Sequence, residues 1–386
     1  MPGFFCAWGF GDGAAMTKPK PNSQGHAWPA DARLLLLLTA LWSVVGLLIL
    51  ASASWWSAQQ ELGDSLYYVK RQTLWLLMGW CLLLIIVRWP LRQWLRLSAV
   101  GMLAGLALLV LTVFFGVTIN GASRWLLIGP VQIQPSELIK PLVILQAAVL
   151  FSNWHRHRMV QQIFWAGVFT VVLGLILRQP NLSTATLLGL LLWLMAFTAG
   201  LPMVLLMGIA GLGLGAGVTS LVVNAYQFQR ILAFLNPWSD PTGSGYQLIQ
   251  SILAIGSGGM SGAGFALSSQ KLHHLPFHTT DFIFAIYAEE LGFIGCMLLL
   301  CFLLVFAFLG LRVAHGSLDR KSRLVASGAT ILLVGQAILN MAVATGVMPA
   351  TGLPFPLFSY GGSAVLSCLV TAGLLIRANL EHTEKS

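Results

Sequence analysis

The sequence predicts an all-α, polytopic membrane protein with ten transmembrane helices. Of its 386 residues, 57% are hydrophobic and only 9% are charged, whereas a soluble domain carries about 25% charged residues. Apolar runs approaching the ~20 residues that cross a bilayer recur along the chain. Basic residues cluster in alternate loops between these runs. A water-soluble globular protein is therefore excluded, and no basic, aromatic-rich run outside the membrane flanks indicates nucleic-acid binding.

Ten apolar runs account for most of the chain. They lie at 34–55, 70–87, 98–117, 138–151, 161–177, 184–200, 201–223, 283–311, 324–348 and 359–376. Residues 34–378 form the membrane domain, preceded by a tail at 1–33 and followed by a tail at 379–386. The first tail has no apolar region followed by a small-residue cleavage site, so it is expected to be a flexible cytoplasmic segment rather than a signal peptide.

Basic residues predict the orientation of the helices. With both termini in the cytoplasm, 14 of the 21 Lys and Arg residues lie on the inner side, as the positive-inside rule requires. Orientation leaves the other seven unexplained, and these are Lys70, Arg71, Arg124, Lys140, Arg178, Arg230 and Lys271. Because they lie outside or within the spans, they are candidates for binding a phosphate.

Two long segments are expected on the outer side, at 118–137 and at 224–282. The second, between the seventh and eighth spans, is too long for a passive connection. Its residues 246–255 are amphipathic and are followed by a glycine-rich run at 256–264. Such a segment is expected to lie along the outer face.

The first candidate motif contains Arg124 and Trp125, followed by Glu137 and Lys140. The guanidinium of Arg124 suits a phosphate, and Trp125 offers an interfacial or stacking ring. Glu137 and Lys140 are three residues apart and share a helical face. They are either an ion pair that fixes helix packing or functional groups, because ionisable residues at membrane depth are costly.

The second motif runs from Lys271 to Asp281, immediately before the eighth span. A partly desolvated acid at the outer boundary would have a raised pKa and could act as a general base. An N-cap of the eighth span is an equally good interpretation of Asp281. His273, His274 and His278 match no zinc pattern, so no metal site is predicted.

The third motif, Ser359-Tyr-Gly361-Gly362, opens the tenth span. Free backbone N–H groups at a helix start can bind an anion. Close helix packing is the alternative explanation for the two glycines.

Together these motifs resemble the SEDS family (shape, elongation, division and sporulation) of bacterial cell-wall proteins. The resemblance rests on 121–125 with 134–140, on 280–285 with 289–292, and on 356–363, and it covers about residues 34 to 378. The sequences around Arg71, Asp240 and Lys271 are more similar to the division branch of the family than to its elongation branch.

The resemblance implies an inverting peptidoglycan glycosyltransferase that polymerises lipid II at the outer face of the bacterial plasma membrane, at the division septum. Asp281 would be the catalytic base. Implied partners are a class B penicillin-binding protein and other division membrane proteins; no cofactor is certain, although a divalent cation is possible. The predicted substrate-binding residues are Arg124, Trp125, Glu137, Lys140, Lys271, Ser359, Gly361 and Gly362.

Two departures from the family pattern keep other functions open. Phe277 stands where the family usually has glutamate, and Asn181 stands where it has aspartate. A catalytically silent scaffold for a transpeptidase is therefore one alternative. A flippase that moves lipid II between leaflets is another, but it should carry charged groups along the whole membrane path, and here they concentrate on the outer side.

Overall fold

The computed structural model describes residues 28–383 except 120–121, 130, 224 and 273–278. The helices are α1 (Ala30–Leu62), α2 (Tyr67–Arg88), α3 (Leu91–Phe115), α4 (Pro135–Ser152), α5 (Met159–Arg178), α6 (Leu182–Thr198), α7 (Met203–Val223), α8 (Ala225–Leu235), α9 (Tyr246–Ser257), α10 (Ile283–Gly316), α11 (Arg320–Ala344) and α12 (Gly362–Thr383). Three short strands follow α3: β1 (Val117–Ile119), β2 (Ala122–Ile128) and β3 (Val131–Ile133).

The predicted helical membrane fold is confirmed. Nine helices in the described part of the chain are long and apolar enough to cross a membrane, and α6, with 17 residues, is apolar but shorter. The total of ten spans therefore depends on α6 and stays a prediction. Helix α1 begins at Ala30 and α12 reaches Thr383, so regular structure extends a few residues past both predicted edges of the membrane domain.

The segment before α4 departs from a purely helical fold. Strands β1, β2 and β3 pair in antiparallel order, with Val117 opposite Trp125 and Leu126 opposite Ile133. β-Branched residues favour strands, and Asn120-Gly121, the pair typical of tight hairpins, stands between β1 and β2 in the sequence. Outside the bilayer, strand pairing satisfies the backbone groups of this short segment.

The long segment after α7 contains two amphipathic helices: α9, which the sequence at 246–255 predicts, and α8, which was not predicted. Helix α9 packs against α10 and α11. The glycine-rich run that follows α9 contacts the backbone of α10 at Gly292, where α10 is broken by a left-handed residue with φ of 63°.

Burial separates the central helices from the peripheral ones. Helices α4, α11 and α12 are largely covered by their neighbours, whereas Leu206 is the single buried residue of α7. Helix α12 packs against α2, α4 and α11, and α10 packs against α11. Because lipid is as apolar as leucine, close packing rather than water exclusion holds such helices together. Helices α4 and α11 supply four of the polar residues described below, namely Glu137, Lys140, Gln336 and Asn340.

Candidate active site

Three charged side chains from distant parts of the sequence converge at Gly352. A side-chain carbon placed on Gly352 would lie 3.5 Å from Oδ2 of Asp281 and 3.9 Å from Nη1 of both Arg124 and Arg230. Gly352 has φ of 71°, a left-handed conformation that glycine adopts without strain. A side chain here would occupy the space that the three charged groups share. This point is the candidate active site.

Backbone carbonyl groups hold both arginines in place. Arg124, on β2, donates from Nε to the carbonyl of Gln179 at 2.9 Å and from Nη2 to the carbonyl of Pro180. Arg230, on α8, donates from Nη1 to the carbonyl of Ala350 at 3.1 Å. A cleft beside Arg230 is lined by residues of α8, α9 and the loop before α12. Strand β2 and helix α8 thus bring two guanidinium groups to the space that Asp281 borders at Gly352.

The backbone around Asp281 is fixed by three polar contacts from other elements. Asn340 of α11 donates from Nδ2 to the carbonyl of Asp281 at 2.8 Å and to that of Leu353 at 2.7 Å. Ser359 donates to the carbonyl of Thr280 at 2.5 Å, and the N–H of Tyr360 donates to the carbonyl of Thr279 at 2.8 Å. The loop before α12 and helix α11 therefore orient this carboxylate. Phe282, without a side-chain cap, precedes α10, so capping by Asp281 is wrong.

Burial and the neighbouring charges change the pKa of Asp281 in opposite directions. Burial raises the pKa of the Asp281 carboxyl above its ordinary value, and the guanidinium groups of Arg230 and Arg124 counteract that rise. Part of Asp281 nevertheless stays accessible to solvent. A carboxylate that is partly desolvated yet reachable is suited to accepting a proton from a hydroxyl group.

The predicted pair of Glu137 and Lys140 lies next to this site, but contacts with other residues of the protein bury both side chains. Lys140 Nζ donates to Glu137 Oε1 at 2.6 Å and to Gln336 Oε1 at 2.9 Å, and all three side chains are buried. Gln336 in turn donates to the carbonyl of Pro354 at 2.7 Å. The pair therefore connects α4 to α11 and to the loop that contains Gly352.

Lys271 is also engaged by a carboxylate. Its Nζ donates to Glu290 Oε1 at 2.9 Å and to Ser52 Oγ at 3.2 Å, and its side chain is 4% exposed. The contact joins the segment after α9 to α10 and α1. That Lys271 and Lys140 bind the substrate stays a prediction. In the structure, each of these lysines is paired with a glutamate of the protein.

The two glycines at the start of α12 are in contact with α2. A side-chain carbon on Gly362 would lie 2.2 Å from the ring of Trp75, whereas one on Gly361 would meet only Ala364 Cβ at 3.7 Å. The N–H of Gly361 donates to Gln72 Oε1 at 3.3 Å. These contacts give Gly362 a packing role and occupy one backbone donor of the predicted anion site.

Comparison with known proteins identifies the family. Residues 32–384 match the family model for FtsW, RodA and SpoVE, which is described as a cell cycle protein. The chain belongs to the FtsW/RodA/SpoVE family. The SEDS family predicted from the motifs is thereby confirmed.

Relatives and a solved structure match over nearly the whole chain. The chain is 47% identical to a probable peptidoglycan glycosyltransferase FtsW of Synechocystis, over 92% of this chain and 91% of that one. It is 45% identical to a putative peptidoglycan glycosyltransferase FtsW of Mesostigma viride, over 92% and 85%. A solved chain from a peptidoglycan synthase complex, described for the coordination of polymerization and crosslinking, superposes with a TM-score of 0.74 at 32% identity, covering 92% of this chain and 99% of that one.

The structure brings together some of the predicted residues and adds others. Asp281 and Arg124 border the same space at Gly352, and Ser359 donates to the carbonyl of Thr280, next to Asp281. Trp125 lies half-buried beside Arg124 on β2. Arg230, predicted only as one of seven phosphate candidates, completes the arrangement with Gln336 and Asn340, which were missed as site residues. Polar side chains inside apolar spans are costly, so Gln336 and Asn340 in α11 carried a usable signal. His273, His274, His278 and Phe277 lie outside the described residues.

Proposed function

We propose that this multi-pass membrane protein is a peptidoglycan glycosyltransferase that polymerises lipid II at the outer face of the plasma membrane during cell division. The observation that carries the proposal is the convergence of Asp281 with Arg124 and Arg230 at Gly352. It lies at the end of the bundle that the basic residues predict to be outside. The names of the FtsW relatives supply the reaction class.

Asp281 is the general base in this mechanism. It accepts the proton of the acceptor sugar hydroxyl as that oxygen attacks the anomeric carbon of the donor. The donor is α-linked through pyrophosphate and the product is β-linked, so one inverting displacement suffices. General-base catalysis contributes about 10²–10⁴-fold to such a step.

Arg124 and Arg230 supply the cationic stabilisation that the departing pyrophosphate needs. Two planar guanidinium groups bind phosphate oxygens in a bidentate manner better than lysines do. Both also counteract the rise in the pKa of Asp281 that burial causes, which favours the ionised form of the proposed base. Since Lys140 and Lys271 are buried beside glutamates, Arg230 is a better phosphate ligand than either.

A resident divalent cation does not fit the described donor set. At Gly352 the structure describes one carboxylate accompanied by two guanidinium groups. Hard divalent cations prefer several oxygen ligands and are repelled by neighbouring cations. The arrangement suits a doubly negative phosphate group instead, and no step of the mechanism requires a bound metal.

A class B penicillin-binding protein is the proposed partner, and the division septum the proposed location. The solved relative belongs to a complex that couples polymerization to crosslinking, and the FtsW relatives favour a role in division. Other division membrane proteins are further expected partners.

The distribution of buried charge favours an enzyme over a flippase. In the described part of the chain, the buried charged side chains are Glu137, Lys140, Lys271, Glu289 and Glu290 near the predicted outer end and Arg377 and Glu381 near the other end. A flippase needs charged or polar contacts for the headgroup throughout the bilayer. Along α11, and along α10 after Glu290, no charged side chain of the described chain is buried.

Polymerisation by purified protein tests the proposal. Labelled lipid II is supplied to the chain in complex with its transpeptidase partner, and glycan strands are separated by gel electrophoresis. Asp281→Asn is expected to reduce strand formation by at least about 10²-fold. Asp64→Asn is the matched control, because Asp64 is an exposed outer carboxylate paired with Lys70 at 2.8 Å.

Each outcome distinguishes between the functions. Strands from the wild type and from Asp64→Asn, with none from Asp281→Asn, support the enzyme. Equal polymer from Asp281→Asn contradicts its role as the base. If no variant polymerises but labelled lipid crosses the leaflets of liposomes, the protein is a flippase.

A further inference from the structure

The break in α10 releases four backbone groups that a continuous helix would pair with each other. In an unbroken helix the N–H groups of Phe293 and Ile294 would donate to the carbonyls of Glu289 and Glu290. Gly292 prevents this, because its φ of 63° and ψ of −164° are not helical. Unpaired backbone groups are especially costly within a membrane protein.

Residues 259–271, which we name the support segment, satisfy all four groups. Phe293 and Ile294 donate to the carbonyls of Gly259 and Met260 at 2.9 and 3.1 Å. The carbonyls of Glu289 and Glu290 accept from the N–H groups of Ala263 and Gly264 at 2.9 and 3.1 Å. The glycine-rich run is thus a backbone partner of the broken helix. A side-chain carbon on Gly262 would lie 2.1 Å from the carbonyl oxygen of Glu290, so this close contact requires glycine at that position.

The side chains of the same two glutamates bind the other end of the support segment. Glu289 Oε1 accepts from the N–H of Ser269 at 2.8 Å and from its hydroxyl at 2.9 Å, and Oε2 accepts from Ser268. Glu290 Oε1 accepts from Lys271 at 2.9 Å and from Ser52 at 2.5 Å. The first two turns of α10 are therefore held by backbone and side-chain contacts together.

We propose that Lys271 and Glu290 are positioning residues for Asp281 and that Lys271 does not bind the pyrophosphate. This inference deepens the proposed function and rests on it. Asp281 lies two residues before α10 begins, so it belongs to the short helical piece, residues 283–291, that ends at the break. The orientation of this piece sets the orientation of the carboxylate, and the support segment holds the piece in place.

Burial and charge explain why Lys271 acts through Glu290. The side chain of Lys271 is 4% exposed and that of Glu290 is 0% exposed. An ion pair at this depth is tolerated only when both members are present, because removing one leaves an uncompensated buried charge. Substrate contact would require Nζ to leave both Glu290 and Ser52.

A double-substitution cycle separates positioning from phosphate binding. Lys271→Met, Glu290→Gln and the double variant are compared with wild type for kcat and KM on lipid II. We expect each single variant to lose about 10²-fold in kcat, as small misplacements of catalytic groups do, with little change in KM. The electroneutral double variant recovers most of that loss. Lys70→Met is the control, since Lys70 is an exposed lysine in a surface ion pair.

The opposite result overturns the proposal. If Lys271 binds pyrophosphate, the double variant is as impaired as Lys271→Met, and KM rises in both. Where a single variant fails to fold, Lys271→Arg replaces it: a positioning role predicts near wild-type kcat for this charge-conserving variant, and severe loss of kcat contradicts it.

Hydrogen exchange provides a readout that does not depend on activity. Exchange at the amides of Ala263, Gly264, Phe293 and Ile294 should rise in each single variant and return toward wild type in the double variant. Unchanged exchange in the single variants contradicts the coupling between the ion pair and the break. If the wild type does not polymerise lipid II, the proposed function fails while this measurement still reports on the support segment.

Discussion

Asp281 and Glu137 are both carboxylates near the predicted outer end of the bundle, but their surroundings differ. Glu137 is 1% exposed and pairs with Lys140 at 2.6 Å, within a network that ends on helix α11. Asp281 keeps partial access to solvent and has Arg124 and Arg230 at the edge of a shared space around Gly352. The first carboxylate is enclosed by its partners, whereas the second lies where a substrate group can enter.

The difference shows that the few charged residues of this chain have two different roles. The buried pair of Glu137 and Lys140 links α4 to α11 through Gln336, and removing one member leaves the other as an uncompensated charge. A carboxylate with a pKa raised by burial and restrained by two cations can change protonation during a reaction. Solvent accessibility, and not charge alone, distinguishes a carboxylate that supports the fold from one that can take part in a reaction.

Neutralising each carboxylate should have opposite effects on stability. Glu137→Gln leaves Lys140 as an uncompensated buried charge and is expected to destabilise the protein by about 3–5 kcal/mol. For Asp281 the raised pKa means that ionisation costs folding free energy as pH rises through that pKa. Asp281→Asn therefore keeps or raises the unfolding midpoint at neutral pH. Thermal unfolding in detergent measures both.

A matched double variant is the control for this comparison. Glu137→Gln combined with Lys140→Met removes both charges, so it should recover most of the stability that Glu137→Gln loses. A midpoint that falls equally in Glu137→Gln and Asp281→Asn would show that the two carboxylates do not differ as described.

Gly361 and Gly362, at the start of α12, differ in the space that is available for a side chain. Gly362→Ala forces a carbon to within 2.2 Å of the Trp75 ring, and such overpacking costs about 1–3 kcal/mol. Gly361→Ala meets Ala364 at 3.7 Å, an ordinary contact, and should leave the unfolding midpoint nearly unchanged. If Gly361→Ala is folded but raises KM for lipid II, the substrate approaches the backbone there, as the sequence predicts. Equal destabilisation by both variants would contradict the packing difference.

The smallest predicted effect is a shift in pH dependence. Arg230 lowers the pKa of Asp281, so Arg230→Gln should move the acid limb of the kcat profile to higher pH. The base must be ionised to act, and activity is lost as pH falls through its pKa. Arg230→Lys keeps the charge and should leave the limb near its wild-type position. A limb that moves to lower pH would exclude Arg230 as a neighbour of the base.

Local sequence patterns were sufficient to predict most of the helices and some residues of the candidate site. The apolar runs near 98–117 and 324–348 correspond to α3 and α11 because any segment in lipid must pair its own backbone groups, which makes hydropathy informative. Asp281 and Arg124 were identifiable since ionisable groups outside the inner loops need another explanation. The amphipathic stretch at 246–255 became α9 for the same kind of local reason.

Other features depended on contacts across the chain. Strand pairing in 117–133 was missed because the ten apolar runs dominated the prediction. Helical spacing indicated the partner of Lys140, but the other six non-inner basic residues looked alike in sequence. In the structure, Lys70 is an exposed surface partner of Asp64, Lys271 pairs with buried Glu290, and Arg124 and Arg230 share the space at Gly352 with Asp281. Spacing along one helix cannot show which carboxylate an amine from another helix will meet.

The sequence by itself determined a basic, apolar chain with a helical membrane fold, its family and a candidate carboxylate before the eighth span, because hydropathy, charge placement and short motifs are local properties. Only the tertiary structure decided which cations face Asp281, which are enclosed, and how residues 259–271 complete a helix broken at Gly292. Those outcomes depend on distances between residues far apart in sequence, and such distances exist only once the helices are packed.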